Sequence, residues 1–344
     1  MLVPVLDEEA NIRETVAAMQ AQRVDGGVEF LFLDGGSRDA TRAILEELAR
    51  RDPRIRVLDN PGRRTPNALN IGLRHARGEF IVRMDAHTFY PPDYIAKGIE
   101  RLHRGDSAWV SGAQLPQGRG TWSRRVALAT TTLLGTGGAP YRHGSDQELE
   151  VEAGFTGMWR RETLEEHGGW DEGWPINQDS ELAARMRKAG LRILCLPELD
   201  AYYVPRNSLK ALARQYFRYG YYREKTSRRH PESMRPAHLL SPGLALTLIA
   251  SGLAPGASRR CAWTGLLAYA LVVATVSARA GAAADRASDA ATLPAVFAVM
   301  HVSWGLGFLS GCARWGPPLD GIVHLLRRAR IARSLTSARA NGRA

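Results

Sequence analysis

The feature that most constrains the fold is the alternation of short apolar runs with amphipathic stretches along residues 1–110. The periodicity of the apolar residues predicts strands in the short runs and helices in the longer stretches. The predicted strands are Leu2–Leu6, Val28–Leu33, Ile55–Leu58, Phe80–Met84 and Ala108–Ser111, and the predicted helices are about Glu9–Gln22, Asp39–Arg51, Thr65–Ala76 and Pro92–His103. Such a βαβ alternation predicts an α/β domain whose sheet is mainly parallel and carries helices on both faces.

The last third of the chain contains three segments without charged residues, Pro236–Ser258, Cys261–Ala278 and Ala290–Ala313. An α-helix needs about 20 mainly apolar residues to cross the hydrocarbon core of a bilayer, and small residues suit close packing in lipid. The alternative is a buried helical hairpin within a soluble domain. The predicted boundaries are 236–313 for a transmembrane region, 237–256, 261–279 and 290–313 for its three apolar helices, and 314–344 for a basic tail.

The net charge of +11 is unevenly distributed along the chain. Residues 231–344 hold 12 arginines against four acidic residues, so the front part is close to neutral. A near-neutral front part with a basic, apolar rear indicates a soluble domain attached to a membrane and argues against a nucleic-acid partner. The three cysteines lie far apart in the sequence, which excludes a disulfide framework.

The arginines of the loops and of the tail would place both the front part and the tail on the cytoplasmic side. Three membrane crossings would put the front part and the tail on opposite sides. Either one segment is interfacial or re-entrant, or the tail is translocated, and the sequence leaves both alternatives open. Met1 leads almost directly into a strand, so we predict no signal peptide. The expected location is therefore the cell membrane, multi-pass, with the front domain in the cytoplasm.

An acidic residue follows each of the first four predicted strands. In a parallel sheet the carboxyl ends of the strands meet at one edge, where ligands bind. Any one of these residues could serve as a helix cap or in a turn, whereas four at one edge favour a binding crevice. The sequence contains neither a GxGxxG dinucleotide motif nor a P-loop. The segments are Asp7-Glu8-Glu9, Asp34-Gly35-Gly36-Ser37, Asp59-Asn60-Pro61-Gly62 and Asp85-Ala86-His87.

Clustered carboxylates at a sheet edge suit a divalent cation that is shared with a pyrophosphate, because hard cations take carboxylate oxygens and complete their shell with phosphate. Asp85 and His87 are separated by one residue, so both side chains can point the same way on an extended segment. An imidazole beside a carboxylate suits Mn²⁺, which tolerates nitrogen ligands better than Mg²⁺ does. We therefore predict a site for Mn²⁺ or Mg²⁺ at Asp85 and His87.

Taken together, the motifs resemble those of family 2 glycosyltransferases of the GT-A fold, particularly the membrane-bound type from succinoglycan and other exopolysaccharide pathways. The resemblance extends over about residues 1–225, and we assign 1–230 to a GT-A domain. The matching segments are Pro4 to Asn11 at the opening strand, Leu33 to Thr41 at the aspartate loop, Asn60 to Gly78 before the DxD strand, Asp85-Ala86-His87 at the DxD position, Gly169-Trp170-Asp171-Glu172 and Asn177-Gln178-Asp179-Ser180-Glu181 at the acidic catalytic segments, and Gln215 to Tyr219 at the QxxRW motif.

The resemblance implies an inverting transfer of a sugar from a nucleotide-sugar donor, which needs one general base and one electrophile for the leaving nucleoside diphosphate. It implies Asp179 as the base; the alternative for this residue is a cap of the predicted helix Ser180–Lys188. The other implied roles are binding of the nucleotide sugar by Pro4, Leu6, Glu8, Asp34 and Asp85, metal binding by Asp85 and His87, and acceptor-side contacts by Gln178, Gln215, Arg218 and Tyr219.

The chain departs from the family pattern at three of these positions. His87 stands where the family has the second aspartate of DxD, Gly35 where many relatives have another aspartate, and Tyr219 where the family has tryptophan. The predicted helix that carries Tyr219, from Ser208 to Tyr222, also has the aromatic and basic residues of a helix lying at a membrane surface. Both roles are compatible, because a lipid-linked acceptor would arrive at that surface.

We consider three functions from the sequence. The favoured one is a membrane glycosyltransferase that moves a sugar, expected from a UDP-linked donor, to a lipid-linked saccharide of an exopolysaccharide or cell-envelope glycan. The second is a polyprenyl-phosphate glycosyltransferase, whose phosphate acceptor needs no strong base. The third is a catalytically silent scaffold for envelope assembly, against which the presence of Asp85, His87 and Asp179 argues.

Overall fold

The computed structural model of the chain describes the following residues: 1–139, 142, 144–282, 284 and 286–329. They divide into two compact units, of which the first comprises Met1–Arg119 and Ala139–Pro205 and the second comprises Gly120–Gly138 and the chain from Arg206 onward. The predicted ends of the first domain at residue 230 and of the transmembrane region at residues 236 and 313 stay predictions. Part of the predicted basic tail, residues 330–344, lies outside the described residues.

All described strands belong to the first unit. They are β1 (Leu2–Val5), β2 (Phe30–Asp34), β3 (Ile55–Asp59), β4 (Phe80–Arg83), β5 (Thr88–Phe89), β6 (Trp109–Ser111), β7 (Gln114–Pro116), β8 (Leu149–Glu150), β9 (Gly157–Arg160), β10 (Ile193–Cys195) and β11 (Ala201–Tyr203). The five strands predicted from the sequence correspond to β1, β2, β3, β4 and β6, and their ends differ from the prediction by at most two residues.

The helices are divided between the two units. Those of the first are α1 (Ile12–Gln20), α2 (Thr41–Arg51), α3 (Thr65–His75), α4 (Tyr94–His103), α7 (Arg161–Glu166) and α8 (Gln178–Lys188). Those of the second are α5 (Thr121–Thr130), α6 (Leu133–Thr136), α9 (Leu209–Arg229), α10 (Ala237–Leu253), α11 (Gly256–Gly281), α12 (Ala287–Ala291) and α13 (Leu293–Trp315), and residues 319–329 are also helical.

The main sheet has eight strands in the order β3-β2-β1-β4-β9-β6-β10-β8. Strands β3, β2, β1 and β4 are mutually parallel, as predicted, whereas β9 is antiparallel to both of its neighbours. A smaller sheet consists of β5, β11 and β7. The carboxyl ends of the four parallel strands therefore lie at one edge, which positions the acidic segments that follow them.

Both faces of the main sheet are covered, which explains why its central strands are almost continuously apolar. Phe32 on β2 packs into one buried cluster with Val16 of α1 and Leu45 of α2. Its neighbour Leu33 points to the opposite face and packs into a second cluster with Leu69 of α3. The alternation of side chains along a strand thus divides β2 between two cores.

The second core cluster is anchored by three tryptophans that are almost completely buried. The rings of Trp109 and Trp159 lie 4.8 Å apart, and those of Trp159 and Trp170 lie 5.5 Å apart with their planes almost perpendicular. Aromatic rings favour these offset and edge-to-face arrangements. Trp170 belongs to the Gly-Trp-Asp-Glu segment, so the packing connects that segment to the sheet that carries β6 and β9.

In the second unit, α9 packs directly against α13 at glycines. A Cβ atom on Gly307 would lie 2.0 Å from the backbone oxygen of Phe217, and one on Gly220 would lie 1.9 Å from that of Trp304. These positions accept only glycine, because two helix backbones touch there and no side chain can move aside. The helix α9, which carries the predicted acceptor-side motif, is thereby fixed against α13.

Two helical stretches among the described residues are long and apolar enough to cross a membrane, Gly256–Gly281 and Ala287–Trp315. The first predicted segment forms α10, which at 17 residues is shorter and contains Pro242. Large apolar side chains of α10 and α11, among them Leu240, Leu253 and Leu267, are exposed. The number of membrane crossings stays a prediction.

Candidate functional site

The first part of the site lies at the carboxyl ends of β1 and β2. Asp34, the last residue of β2, is buried, and its Oδ1 accepts hydrogen bonds from the backbone N–H and the hydroxyl of Ser37 at 3.1 and 2.6 Å. The Ser37 oxygen accepts a hydrogen bond from the N–H of Asp7 at 3.0 Å. Asp7 has a left-handed backbone conformation with φ of 55°. The acidic segments after β1 and β2 are therefore held together.

Asp34 and Asp59 occupy neighbouring register positions on β2 and β3. Their like charges are offset by Arg42 on α2, whose Nη1 lies 2.5 Å from Asp59 Oδ1 and 3.5 Å from Asp34 Oδ2. A carboxylate that is buried and oriented by a serine and an arginine is suited to accept hydrogen bonds from a ligand. The predicted nucleotide-binding residue Asp34 is thus a preorganised acceptor.

The remaining predicted contacts of the opening strand lie on β1, which pairs with β2, or directly after it. Pro4 lies on β1 and is half-buried, whereas Leu6 follows the strand and is 40% exposed. The N–H of Glu8 donates a hydrogen bond to the Thr41 hydroxyl at 2.7 Å. Oε1 of Glu8 lies 3.6 Å from Nδ1 of His87, so the segment after β1 meets the segment at the DxD position.

The second part of the site is centred on Arg83, the last residue of β4. Its Nε and Nη2 donate to the two carboxylate oxygens of Asp85 at 3.1 and 3.3 Å. Its Nη1 donates to Oδ1 of Asp179 at 2.5 Å. The Arg83 side chain is only 5% exposed, and those of Asp85 and Asp179 are 14% and 16% exposed. One buried guanidinium therefore joins the predicted donor-side carboxylate to the predicted base.

Asp179 lies within the first turn of α8, because the helix begins at Gln178 with Asn177 at the N-cap position. The capping role that the sequence left open for Asp179 is therefore wrong, and its carboxylate is directed to Arg83 instead. Burial raises the pKa of the Asp179 carboxyl, and the positive charge of Arg83 opposes that rise. A carboxylate with a raised pKa is a stronger proton acceptor, which suits a general base.

Gln178 and the Gly-Trp-Asp-Glu segment flank this base. The side-chain nitrogen of Gln178 lies 3.4 Å from Oδ2 of Asp179. The Asn70 side chain on α3 accepts a hydrogen bond from the Trp170 N–H at 2.9 Å and donates one to the Trp170 carbonyl at 2.7 Å. It also donates to Glu172 at 3.1 Å. The loop that precedes the base is therefore docked on α3 by asparagine side chains, since Asn67 of that helix also donates to Glu172.

The predicted acceptor-side residues Gln215, Arg218 and Tyr219 lie on α9 in the second unit. The amide of Gln215 donates a hydrogen bond to the Tyr219 hydroxyl at 2.8 Å, and Arg218 is exposed. The structure brings the predicted residues of the first unit together at one sheet edge. The role of the α9 residues stays a prediction.

The described residues contain no group of three or more histidine, cysteine or acidic side chains close enough to hold a metal ion on their own. Asp85 and His87 offer one carboxylate and one imidazole, and Glu8 lies beside His87. This donor set fits a cation that takes its other ligands from a diphosphate and from water, as Mg²⁺ and Mn²⁺ do in nucleotide sites. The donor types of the predicted pair therefore suit a cation that binds together with its nucleotide, and metal binding by Asp85 and His87 stays a prediction.

Arg83 was not predicted from the sequence, and Asn70 was matched to the family pattern without a role in the site. A signal for Arg83 was present, because it is the one charged residue of the strand Phe-Ile-Val-Arg and a charge that is buried in a sheet needs partners. Its second partner, Asp179, is 96 residues away and could not be assigned by spacing. Asn70 belongs to the matching segment before the DxD strand, but its partner Trp170 is 100 residues away and could not be assigned by spacing either.

Comparison with known proteins gives a consistent result. Residues 1–168 match the model of glycosyl transferase family 2. The chain is 32% identical to the succinoglycan biosynthesis protein ExoA of Rhizobium meliloti over 90% of this chain and 93% of that protein. It is 29% identical to the undecaprenyl-phosphate 4-deoxy-4-formamido-L-arabinose transferase of Pseudomonas aeruginosa over 32% of this chain and 37% of that one.

Among solved structures, the chain is similar to the mannosyltransferase PcManGT of Pyrobaculum calidifontis, which was determined in complex with GDP-Man and Mn²⁺. The TM-score is 0.56 and the sequence identity 21%, over 87% of this chain and 84% of the other. At this identity the likeness concerns the fold.

Proposed function

The chain belongs to glycosyltransferase family 2, and we propose that it moves a sugar, with inversion, from a UDP-linked donor to a lipid-linked saccharide in the synthesis of an exopolysaccharide or cell-envelope glycan. That it is a glycosyltransferase with a GT-A fold, as the motifs predicted, follows from the family match and the structural likeness. The likeness to a succinoglycan biosynthesis protein of Rhizobium meliloti over 90% of the chain supports the exopolysaccharide pathway and with it a lipid-linked acceptor.

The observation that carries the proposed reaction is the convergence of Asp85 and Asp179 on Arg83 at the carboxyl edge of the parallel strands. An inverting transfer needs a donor-side group that binds the diphosphate and a base on the acceptor side. The two carboxylates stand on opposite ends of one guanidinium, so a single crevice holds both groups.

In the proposed reaction, Asp179 accepts the proton of the acceptor hydroxyl while the hydroxyl oxygen attacks the anomeric carbon. The bond between that carbon and the diphosphate oxygen breaks, and its electron pair leaves with the nucleoside diphosphate. A divalent cation, when bound, would offset the negative charge of this leaving group. Asp85 and His87 would hold the cation, and Arg83 keeps the Asp179 carboxylate in place.

The other predicted residues receive roles in the same scheme. Asp34, oriented by Ser37 and Arg42, would accept hydrogen bonds from the nucleoside. Glu8, Pro4 and Leu6 would line the nucleotide side of the crevice, and Gln178 the acceptor side. We further propose that Gln215, Arg218 and Tyr219 on α9 contact the acceptor.

We also propose that the chain is a multi-pass protein of the cell membrane with its catalytic unit on the cytoplasmic side. The two long apolar stretches and the exposed leucines of α10 and α11 support membrane association. A lipid-linked acceptor remains in the membrane, so an enzyme that is anchored there meets it at the surface.

A second candidate acceptor is a polyprenyl phosphate. The observation that favours it is the partial likeness to an undecaprenyl-phosphate transferase, which covers 32% of this chain. A phosphate acceptor is already ionised near neutral pH and needs no strong base. The largely buried carboxylate of Asp179, held by Arg83, therefore favours the hydroxyl of a saccharide.

The proposed donor site is tested by calorimetry of the full chain in detergent with UDP and with GDP, each with and without Mn²⁺. We expect UDP to bind only when Mn²⁺ is present, and we expect Asp85→Ala to abolish this binding because the cation loses its carboxylate ligand. Asp25→Ala, which changes an exposed loop residue, is the matched control and should bind UDP as the wild type does. Preferred binding of GDP would replace the UDP assignment, and folded wild-type protein that binds neither nucleotide would contradict the proposed function.

A further inference from the structure

Arg83 is held in place by the main sheet. Its backbone lies opposite Leu2 of β1 and Gly157 of β9, so the residue is fixed between two strands. The side chain is almost completely buried, and three of its nitrogens contact carboxylate oxygens. Its position therefore depends on the sheet and not on a mobile loop.

The three contacts of Arg83 hold Asp85 and Asp179 on different sides of one guanidinium group. The edge formed by Nε and Nη2 engages Asp85 side-on, and Nη1 engages Asp179 at its end. A guanidinium is planar and rigid, so one group fixes both the direction and the separation of its two partners. A lysine ammonium would supply the charge but could not hold two carboxylates at a set distance in this way.

A positive charge is also needed beside the carboxylates of Asp85 and Asp179. Asp85 and Asp179 are both largely buried, and two adjacent carboxylates that lack a compensating charge repel each other. Loss of one partner from a buried ionic group leaves the others without compensation, which is costly. Arg83 therefore allows a donor-side carboxylate and a base to stand in the same crevice.

We propose that Arg83 is a positioning residue that sets the spacing between the donor-side carboxylate Asp85 and the base Asp179. This inference rests on the proposed function, because it takes the roles of the two carboxylates from there. Arg83 acts through its two partners and need not touch the substrate. A shift of about 1 Å in a reacting group can lower a rate by about 100-fold, so the residue should affect turnover much more than nucleotide binding.

The test measures UDP release by the full chain in detergent with Mn²⁺ and UDP-glucose, UDP-galactose or UDP-N-acetylglucosamine, whichever the wild type hydrolyses fastest. We expect Arg83→Met and Arg83→Lys each to lower kcat by about 100-fold while KM changes little. Arg160→Met is the matched control, because Arg160 lies on the adjacent strand β9 and pairs with the exposed Glu79. It should retain the wild-type kcat.

A double-mutant cycle separates positioning from a general structural role. In the background of Asp179→Asn, the further change Arg83→Met should lower the rate by less than about 3-fold, since residues that act as a unit are not additive. A full additional 100-fold loss, or wild-type kcat in Arg83→Lys, would overturn the inference. Thermal unfolding shows whether each variant folds. If Arg83→Met does not fold, the kcat of Arg83→Lys alone tests the inference. If Asp179→Asn retains wild-type turnover, the base assignment fails, and that result needs no Arg83 variant.

Discussion

Replacing Asp179 with asparagine should lower the rate of sugar transfer by about 10²- to 10⁴-fold, the range that is typical of a lost general base. Asparagine has nearly the same shape and keeps an oxygen that can accept the hydrogen bond from Arg83, but it cannot take up the proton of the acceptor hydroxyl. The fold should therefore be retained. The measurement is transfer of labelled sugar by wild-type and variant chains at equal concentrations.

One control variant and one binding measurement make this result specific to Asp179. Asp25→Asn changes an exposed carboxylate of a loop and should transfer sugar at the wild-type rate. Nucleotide binding by Asp179→Asn should be close to that of the wild type, because the donor-side carboxylate is Asp85. If Asp179→Asn transferred sugar within about 3-fold of the wild-type rate, the acceptor would not depend on this base, as expected for a polyprenyl phosphate.

Replacing Gly307 with alanine should destabilise the second unit by about 3 kcal/mol, the upper part of the range for overpacking. The new methyl group would lie 2.0 Å from the backbone oxygen of Phe217, so α9 and α13 would have to separate. For a unit of this size the loss corresponds to a fall in the unfolding temperature of about 6–12 °C. Thermal unfolding of the full chain in detergent measures it.

Gly243→Ala provides a matched control in the neighbouring helix α10. A Cβ atom on Gly243 meets nothing within 4 Å, so alanine fits there without strain. Because alanine has a higher helix propensity than glycine, this variant should be as stable as the wild type or more stable by up to about 1 kcal/mol. Equal stability of Gly307→Ala and Gly243→Ala would contradict the close packing of α9 on α13.

Much of the first unit could be predicted from its sequence because local periodicity determines it. The runs Leu2–Leu6 and Phe80–Met84 each gave a strand at nearly the predicted ends, and the parallel pairing followed from the helices between them. Strand β9 was missed, since Gly-Met-Trp-Arg is short and pairs antiparallel with strands that are distant in sequence. Its place between β4 and β6 depends on tertiary contacts alone.

The residues of the site could likewise be predicted only where a local sequence pattern places them. Asp34 and Asp85 could be placed at one edge because each follows a parallel strand, and that edge is where the structure has them. The attachment of Asp179 to Arg83 could not be predicted, because it joins a helix start to a strand end 96 residues away. The capping role considered for Asp179 shows how a local rule fails when a long-range ion pair determines the direction of a side chain.

The most direct test of the account is transfer by the full chain in detergent from radiolabelled UDP-sugars to a bacterial lipid extract. We predict that Mn²⁺-dependent label enters the organic-solvent fraction with the wild type and not with Asp179→Asn, and that the new linkage is β when the donor is α-linked. Label that enters no lipid from any UDP-sugar, or a product that keeps the anomeric configuration of the donor, would contradict the account.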